Sequence, residues 1–192
     1  MKKTISTRRS RKEVDELIIT AAKYLFLERG YRSASTKEIA AHASVAEHLI
    51  FKRFPNKAHL FVAAVVEPFL QELNKFSESW GSKASDQPIK DYLKAAYELL
   101  ADNCRSLLAV TAAVMYEGEE AAQMGISNLS TEIIDELMRI TRKRIPLPSA
   151  ADKDRLARVL VSSLWSAAVH GGYFVPDNKR NAFINTLVDL VE

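Results

Sequence analysis

Residues 35–57, STKEIAAHASVAEHLIFKRFPNK, constrain the fold of this chain more than any other stretch, because they predict two short helices joined by a tight turn. Ser35 is followed three residues later by Glu38, the spacing of a capping box. In this motif the hydroxyl and the carboxylate each accept a hydrogen bond from a backbone N–H at the start of the helix. A break at residues 43–45 separates this helix from the next amphipathic stretch. The pattern is typical of a helix-turn-helix.

The second helix of this motif has an outward face suited to a DNA groove. Its Leu49, Ile50 and Phe54 share the inward face. The opposite face carries Ala46, Glu47, His48, Phe51 and Lys52. These side chains are small enough to enter a groove and polar enough to meet base edges or phosphates. A surface αα-hairpin without a DNA-binding role is the alternative interpretation.

The segments AAKYLFLERGY, STKEIA, SVAEHLIFKRF and PNK, which lie within residues 18–61, resemble the N-terminal domain of TetR-family transcriptional repressors. They match in order the family pattern AA..LF.E.GY, T..EIA, GVS..T.Y..F and P.K. The resemblance covers roughly a quarter of the chain. It implies an all-α fold of about nine helices, with a helix-turn-helix domain at residues 1–56 and a helical ligand-binding and dimerisation domain at residues 57–192.

Three positions depart from the family pattern. Ser44 stands where the family usually has Gly, so the turn must avoid a positive φ or accept strain. His48 occupies a position that is often Gly. Phe51 replaces the usual phosphate-contacting Tyr and cannot donate a hydroxyl hydrogen bond, which leaves an apolar contact such as one with a thymine methyl. These changes put the usual operator contacts in question.

The resemblance implies a DNA-binding transcriptional regulator, specifically a repressor that a small-molecule inducer releases from a palindromic operator. Lys57 follows a capping residue, Asn56, at a position where family members commonly contact a phosphate. The DNA-binding candidates are Arg9, Arg11, Ser35, Thr36, Lys37, Ala46, Glu47, His48, Phe51, Lys52 and Lys57. No cofactor is implied.

The charge is distributed unevenly along the chain. Residues 1–60 contain 13 Lys and Arg against 6 Asp and Glu, which gives +7, so the other residues carry −4 of the total of +3. A basic cluster precedes the first helix: Lys2, Lys3, Arg8, Arg9, Arg11 and Lys12. Such arms track phosphates or enter a minor groove, although a solvated tail is the alternative for Lys2 and Lys3.

Composition and motifs argue against other classes of protein. A single cysteine, Cys104, excludes an intrachain disulfide and suits a reducing compartment. No apolar run is long enough to span a bilayer, and the N-terminus lacks the apolar core of a signal peptide, so we expect a soluble, cytoplasmic protein. The sequence has no Gly-rich phosphate loop, no nucleophile beside a base and no metal-ligand spacing among its four histidines. We therefore expect neither catalysis nor a metal site.

The helix boundaries can be predicted from capping residues. Ser10 and Glu13 form a capping box before an inward stripe that begins at Leu17, and Gly30 ends this first helix. A helix that starts after Asn56 continues to Trp80, with a kink expected near residues 64–68 because Pro68 removes one backbone hydrogen bond. Residues 81–88 read as a polar linker, with Asp86 and Pro88 at the start of the next helix.

The body is predicted to be helical throughout, with the stretch around residues 107–114 apolar on nearly every side and therefore central. In TetR-like proteins the final two helices pair across a two-fold axis. Candidate dimer residues are Leu160, Ser163, Leu164, Ala167, Phe183, Ile184 and Leu187. The alternative is that these stripes close the core of one chain.

Candidates for an inducer pocket are Phe76, Trp80, Tyr97, Met115, Tyr116, Met124, Trp165 and His170, for which plain core packing is the alternative.

A different class of function also fits the basic head. The chain could be a non-catalytic helical interaction module that binds acidic protein or RNA. Sequence-selective binding to a palindromic duplex that weakens steeply with salt favours the regulator, whereas equal binding to any polyanion favours the module.

Overall fold

The computed structural model describes residues 10–81, 88–170 and 175–191, and every regular element within these ranges is helical. The all-α prediction is confirmed. The helices are α1 (Arg11–Ser33), α2 (Thr36–His42), α3 (Glu47–Phe51), α4 (Lys57–Phe61), α5 (Glu67–Gly81), α6 (Ile89–Asp102), α7 (Cys104–Tyr116), α8 (Gly118–Gln123), α9 (Leu129–Arg144), α10 (Ala150–His170) and α11 (Arg180–Asp189). The chain divides into two compact units, Met1–Glu67 and Pro68–Glu192, later than the sequence-based boundary after residue 56.

Helix α1 begins as its capping residues predict, and its regular geometry breaks at Gly30, although its last residue is Ser33. The Ser10 hydroxyl accepts a hydrogen bond from the Glu13 backbone N–H at 3.2 Å, and the Ser10 N–H donates to the Glu13 carboxylate at 2.6 Å. Gly30 adopts a φ of 78°, which breaks the helical geometry and returns Tyr31 to the core. The Tyr31 ring lies 5.3 Å from the ring of Phe61, in an edge-to-face arrangement. The turn therefore closes the core of the N-terminal unit.

The core of the N-terminal unit forms where α1 packs against α2, α4 and the start of the long helical run that follows. Ile18, Phe26 and Ile39 are completely buried there. Leu17 is an exception to the predicted inward stripe, because it is 37% exposed. It lies beside an open groove between α1 and the end of α2.

A helical run extends from residue 57 to residue 81 and contains an irregularity where the sequence predicts one. The Asn56 side chain caps it by accepting from the His59 N–H at 2.9 Å. Residues Val62–Val66 form a π-helical turn, in which the Glu67 N–H donates to the Val62 carbonyl. Pro68 follows directly and has no N–H to donate. A π-turn is a recognised way to absorb such a break in the helical hydrogen-bond ladder.

The C-terminal unit is built around α10, which packs against α6, α7 and α9, while α11 packs against α6. Tyr92 of α6 is fully buried, and its hydroxyl lies 2.7 Å from the hydroxyl of Thr141 in α9. Helix α7 is buried on one side and not on several as predicted, because Leu107, Val110 and Ala113 are buried while Leu108 is 47% exposed. Asp86, proposed to start α6, lies outside the described residues, and Pro88 stands at the N-cap.

Most residues proposed for the dimer interface lie in the core of a single chain. The buried ones are Leu160, Leu164, Ala167, Ile184 and Leu187. They fill the space between α6, α10 and α11, where removal of apolar surface from water stabilises the unit. Their assignment to an interface is therefore corrected to core packing. Ser163 and Phe183 remain partly exposed and available to a second chain.

Candidate nucleic-acid interface

The turn between α2 and α3 is closed by a Schellman motif with serine at its left-handed position. The Ser44 N–H donates to the Ala41 carbonyl at 3.1 Å, and the Val45 N–H donates to the Ala40 carbonyl at 3.0 Å. Ser44 adopts a φ of 52°, so this chain accepts the strained conformation rather than avoiding it. The motif fixes the angle at which α3 leaves α2.

Helix α3 presents the predicted face to solvent. Ile50 is fully buried, while Leu49 and Phe54 are partly buried, so the inward side matches the prediction. The exposed positions are Ala46, His48, Phe51 and Lys52, and Glu47 is partly buried. Phe51 is 49% exposed, which leaves a large apolar side chain partly in water. We call the surface formed by Ala46, Glu47, His48, Phe51 and Lys52 the reading face.

Two predicted contact residues use their hydroxyls within the protein. The Thr36 hydroxyl donates to Glu47 Oε1 at 2.7 Å, joining the first turn of α2 to the first turn of α3. The Ser35 hydroxyl donates to Glu38 Oε2 at 2.8 Å. It also accepts from the Glu38 N–H at 3.2 Å, while the Ser35 N–H donates to the Glu38 carboxylate at 3.1 Å, which forms the capping box that the sequence predicts. Arg29 then reaches Glu38 from α1 at 2.8 Å. Hydrogen bonds from the Ser35 hydroxyl and backbone N–H lower the pKa of the Glu38 carboxyl, because they stabilise its charged form.

No pattern in the sequence indicates two of the contacts that orient the reading face. Arg53, just after α3, pairs with Asp15 in α1, and both side chains are partly shielded from solvent. The second of these contacts is the hydrogen bond from Thr36 to Glu47. Helical periodicity relates residues three or four positions apart, whereas these pairs join different helices. They could be found only by placing the helices in space.

The remaining DNA-binding candidates differ in how free their side chains are. Lys57 Nζ donates to the Arg32 carbonyl at 3.2 Å and lies 4.5 Å from the centre of the Tyr31 ring, so it also holds the α1 terminus. Arg11 and Lys37 are exposed. Arg9 lies outside the described residues.

The inducer-pocket candidates do not form one cluster. Phe76 and Trp80 pack with Tyr92, at ring-centre distances of 5.9 Å and 5.8 Å to Tyr92, and the Arg144 guanidinium covers the Trp80 and Tyr92 rings. Tyr97 packs instead against Phe183 at 6.3 Å. The structure therefore separates three of the candidates into two aromatic groups.

The other pocket candidates lie nearer the surface. Met115 and Tyr116 are 69% and 75% exposed, so they do not line an enclosed cavity of a single chain. Met124 and Trp165 are partly buried. His170 is exposed, and its Nδ1 lies 2.9 Å from the Ser166 carbonyl one turn earlier, the local contact expected of a helix-terminal histidine.

Two other kinds of site are missing from the described ranges. Among residues 10–81, 88–170 and 175–191, no group of three or more His, Cys, Asp or Glu side chains is arranged to hold a metal ion. In the same ranges, no helix combines the length and the apolar character that crossing a membrane requires.

Comparison with known proteins relates this geometry to a family. Residues 18–64 match the family model described as bacterial regulatory proteins of the TetR family. An uncharacterized HTH-type transcriptional regulator of Bacillus subtilis, YvkB, is 48% identical over 46 residues, and the match spans only 24% of this chain and 24% of that protein.

Solved structures share the whole fold at low sequence identity. Salmonella enterica GusR has a TM-score of 0.68 at 19% identity, with 95% of each chain covered. Pseudomonas aeruginosa NalD, the secondary repressor of the MexAB-OprM multidrug efflux pump, has a TM-score of 0.62 at 18% identity, covering 93% of this chain and 95% of that one. Bacillus subtilis FadR, solved with stearoyl-CoA, has a TM-score of 0.64 at 20% identity, covering 92% and 96%.

A helix-turn-helix is the motif by which one class of transcriptional regulators binds DNA. The N-terminal unit of this chain carries this motif together with the sequence signature of the TetR family over residues 18–64. The motif match places the family signature on α1 to α4, and the shared fold extends over the rest of the described chain.

Proposed function

We propose that this protein is a repressor that binds a near-palindromic operator as a two-fold dimer and is released from it by a small molecule. The observation that carries the proposal is the exposed reading face on α3, in a domain that matches the TetR family. Base edges in the major groove specify sequence, while the surrounding lysines and arginines contact phosphates.

A two-fold dimer is part of the proposal because one α3 reads only a half-site. Two recognition helices must lie about 34–36 Å apart to enter successive major grooves. A shallow groove of about 400 Å³ in the C-terminal unit supports a second chain packing there. It is lined by Ser162, Ser163, Ser166, Ala167, Val175 and Phe183. Small side chains allow two helices to approach closely.

We propose that a small molecule binds in the C-terminal unit and thereby releases the protein from its operator. FadR, which shares this fold, was solved with stearoyl-CoA, and NalD is a repressor of an efflux pump. A ligand that binds the helical body acts only if it favours the state in which the paired recognition helices no longer fit the operator. The helical run from residue 57 to residue 81 connects the two units and is our candidate for carrying this change.

The test is selection of bound duplexes from a random pool, followed by a salt titration on the selected duplex. We expect a near-palindrome whose affinity falls steeply with salt, while scrambled duplex binds far more weakly. Equal affinity for the selected duplex, scrambled duplex and RNA would instead support the interaction module. Loss of binding when metabolite pools are added, recovered on dialysis, would support release by a ligand.

A further inference from the structure

Glu47 places a negative charge on a surface proposed to face a polyanion. Carboxylates near DNA phosphates are repelled, so an acid on a recognition helix weakens binding unless a base supplies a donor for it. Arg53, which could have neutralised it from the following turn, is paired with Asp15 in α1. The Glu47 carboxylate is therefore a candidate for a direct contact with a hydrogen-bond donor on a DNA base.

The structure holds this carboxylate in a defined position. Thr36 donates its hydroxyl to Glu47 Oε1 at 2.7 Å, and the Glu47 side chain is partly buried between the two helices. Thr36 occupies one carboxylate oxygen and restricts the side-chain torsions. Among residues 10–81, 88–170 and 175–191, none donates a hydrogen bond to the other oxygen, Oε2, which can therefore accept one from outside the protein.

Major-groove chemistry narrows what that donor can be. Cytosine N4 and adenine N6 are the amino donors in this groove, whereas guanine and thymine offer acceptors at the matching positions. Adenine also presents its N7 acceptor beside N6, which repels a carboxylate. Cytosine presents N4 without a neighbouring acceptor on the same base, so it is the base that a fixed carboxylate favours.

We propose that Glu47 reads one cytosine in each operator half-site by accepting a hydrogen bond from its N4 amino group, and that Thr36 is the positioning residue for this contact. This inference rests on the DNA-binding function proposed above, and it names the nucleobase that Glu47 recognises. It predicts that one G·C pair per half-site is recognised from its cytosine strand.

The competing explanation is that Thr36 and Glu47 merely tie α2 to α3. A purely structural tie would lower thermal stability when broken but leave base preference unchanged. A reading contact changes the preference at one base pair and leaves the other positions as they were. Position-resolved base preference therefore separates the two explanations.

The experiment repeats the random-pool selection with wild type, Glu47→Ala, Glu47→Gln, Thr36→Val and a control, Glu16→Ala. Glu16 is an exposed acid on α1, so its replacement removes the same charge away from the reading face. We expect Glu47→Ala to abolish the cytosine preference at one position per half-site, a change of roughly 5- to 150-fold between cytosine and the other bases. Glu47→Gln should also lose it, because Thr36 holds the amide oxygen and an NH₂ group then faces the groove. Thr36→Val should weaken the preference at the same position, and Glu16→Ala should leave it intact.

A second measurement uses the wild-type protein and does not depend on any variant folding. N4-methylcytosine at the assigned position replaces the groove-facing N–H with a methyl group, and wild type should bind this duplex at least tenfold more weakly. Glu47→Ala should not discriminate between the two duplexes. The inference is overturned if wild type selects an operator but tolerates N4-methylcytosine throughout, or if Glu47→Ala keeps every base preference. Failure of wild type to select any duplex overturns the proposed function itself, and this inference with it.

Discussion

Ser44 shows how a single residue sets the geometry of the reading face. Its left-handed backbone lets two N–H groups close the end of α2, yet a Cβ atom makes that conformation unfavourable by about 1 kcal/mol or more. Glycine adopts the same φ without this cost. Ser44 therefore forms the turn between α2 and α3 at the cost of an unfavourable backbone conformation.

We expect Ser44→Gly to raise the free energy of unfolding by about 1 kcal/mol, because it relieves the left-handed strain. Urea unfolding followed by circular dichroism measures the change. Ser44→Ala is the control: it removes the hydroxyl but keeps the Cβ, so it should give no stabilisation. Equal stability of the Gly and Ala variants would show that the backbone at this turn is not strained.

Lys52 and Lys57 should both contribute to binding without specifying sequence, but they differ in their structural roles. Replacing either with Ala should weaken binding to all duplexes and reduce the salt slope by about 1. Only Lys57→Ala should also lower the melting temperature, because Lys57 contacts the Arg32 carbonyl and the Tyr31 ring. Salt titrations and thermal melts on both variants check this. An unchanged salt slope for Lys52→Ala would remove it from the interface.

At the scale of helices, α2 and α3 are too short to be stable alone. Isolated helices of fewer than about 12 residues are marginal in water, so these two depend on their caps and on packing against α1. Ala46 stands at the N-cap of α3 without a side-chain hydrogen bond. The Thr36–Glu47 and Arg53–Asp15 contacts join α3 to α2 and α1 instead.

Helix α9 offers a prediction about pH. Two hydrogen bonds from the Arg139 guanidinium lower the pKa of Glu136 to about 2, although partial burial opposes this. Because the folded pKa lies below the ordinary value of 4.5, the charged carboxylate stabilises the fold above that value. This contribution is lost as pH falls from about 5 toward 2.

We therefore expect Glu136→Gln to melt at a lower temperature than wild type at pH 7, with the difference shrinking as pH falls toward 2. Thermal unfolding at a series of pH values measures it. Glu98→Gln, which alters an exposed carboxylate on α6, is the matched control and should follow wild type throughout. A difference that stays constant with pH would show that the effect is not due to ionisation of Glu136.

At the scale of the whole molecule, the proposed dimer can be tested through the groove on α10. Ser162 is exposed at its edge, and Ser162→Arg places a long cation where two helices would approach. We expect this variant to sediment as a monomer and to bind the selected operator at least tenfold more weakly. Ser127→Arg, which makes the same change on an exposed turn outside the groove, should sediment as wild type does. A dimer that persists in Ser162→Arg would place the interface elsewhere.

The sequence by itself determined the local structure. The caps at Ser10, Ser35 and Asn56 and the break at Gly30 depend on groups within three or four residues of each other, so the pattern of residue types specifies them. The helix-turn-helix could be predicted for the same reason, together with a family signature on contiguous residues.

Only the tertiary structure decided which apolar stripes are inside. Leu160 and Leu164 were equally compatible with a core and with an interface, and packing of α10 against α6 places them in the core. The apolar stretch of residues 107–114 in α7 predicted burial on nearly every side, yet Leu108 is 47% exposed. The hydrogen bond from Thr36 to Glu47 likewise exists only because two helices meet. Helical periodicity determines which residues share a face, but what covers that face depends on contacts between residues far apart in the chain.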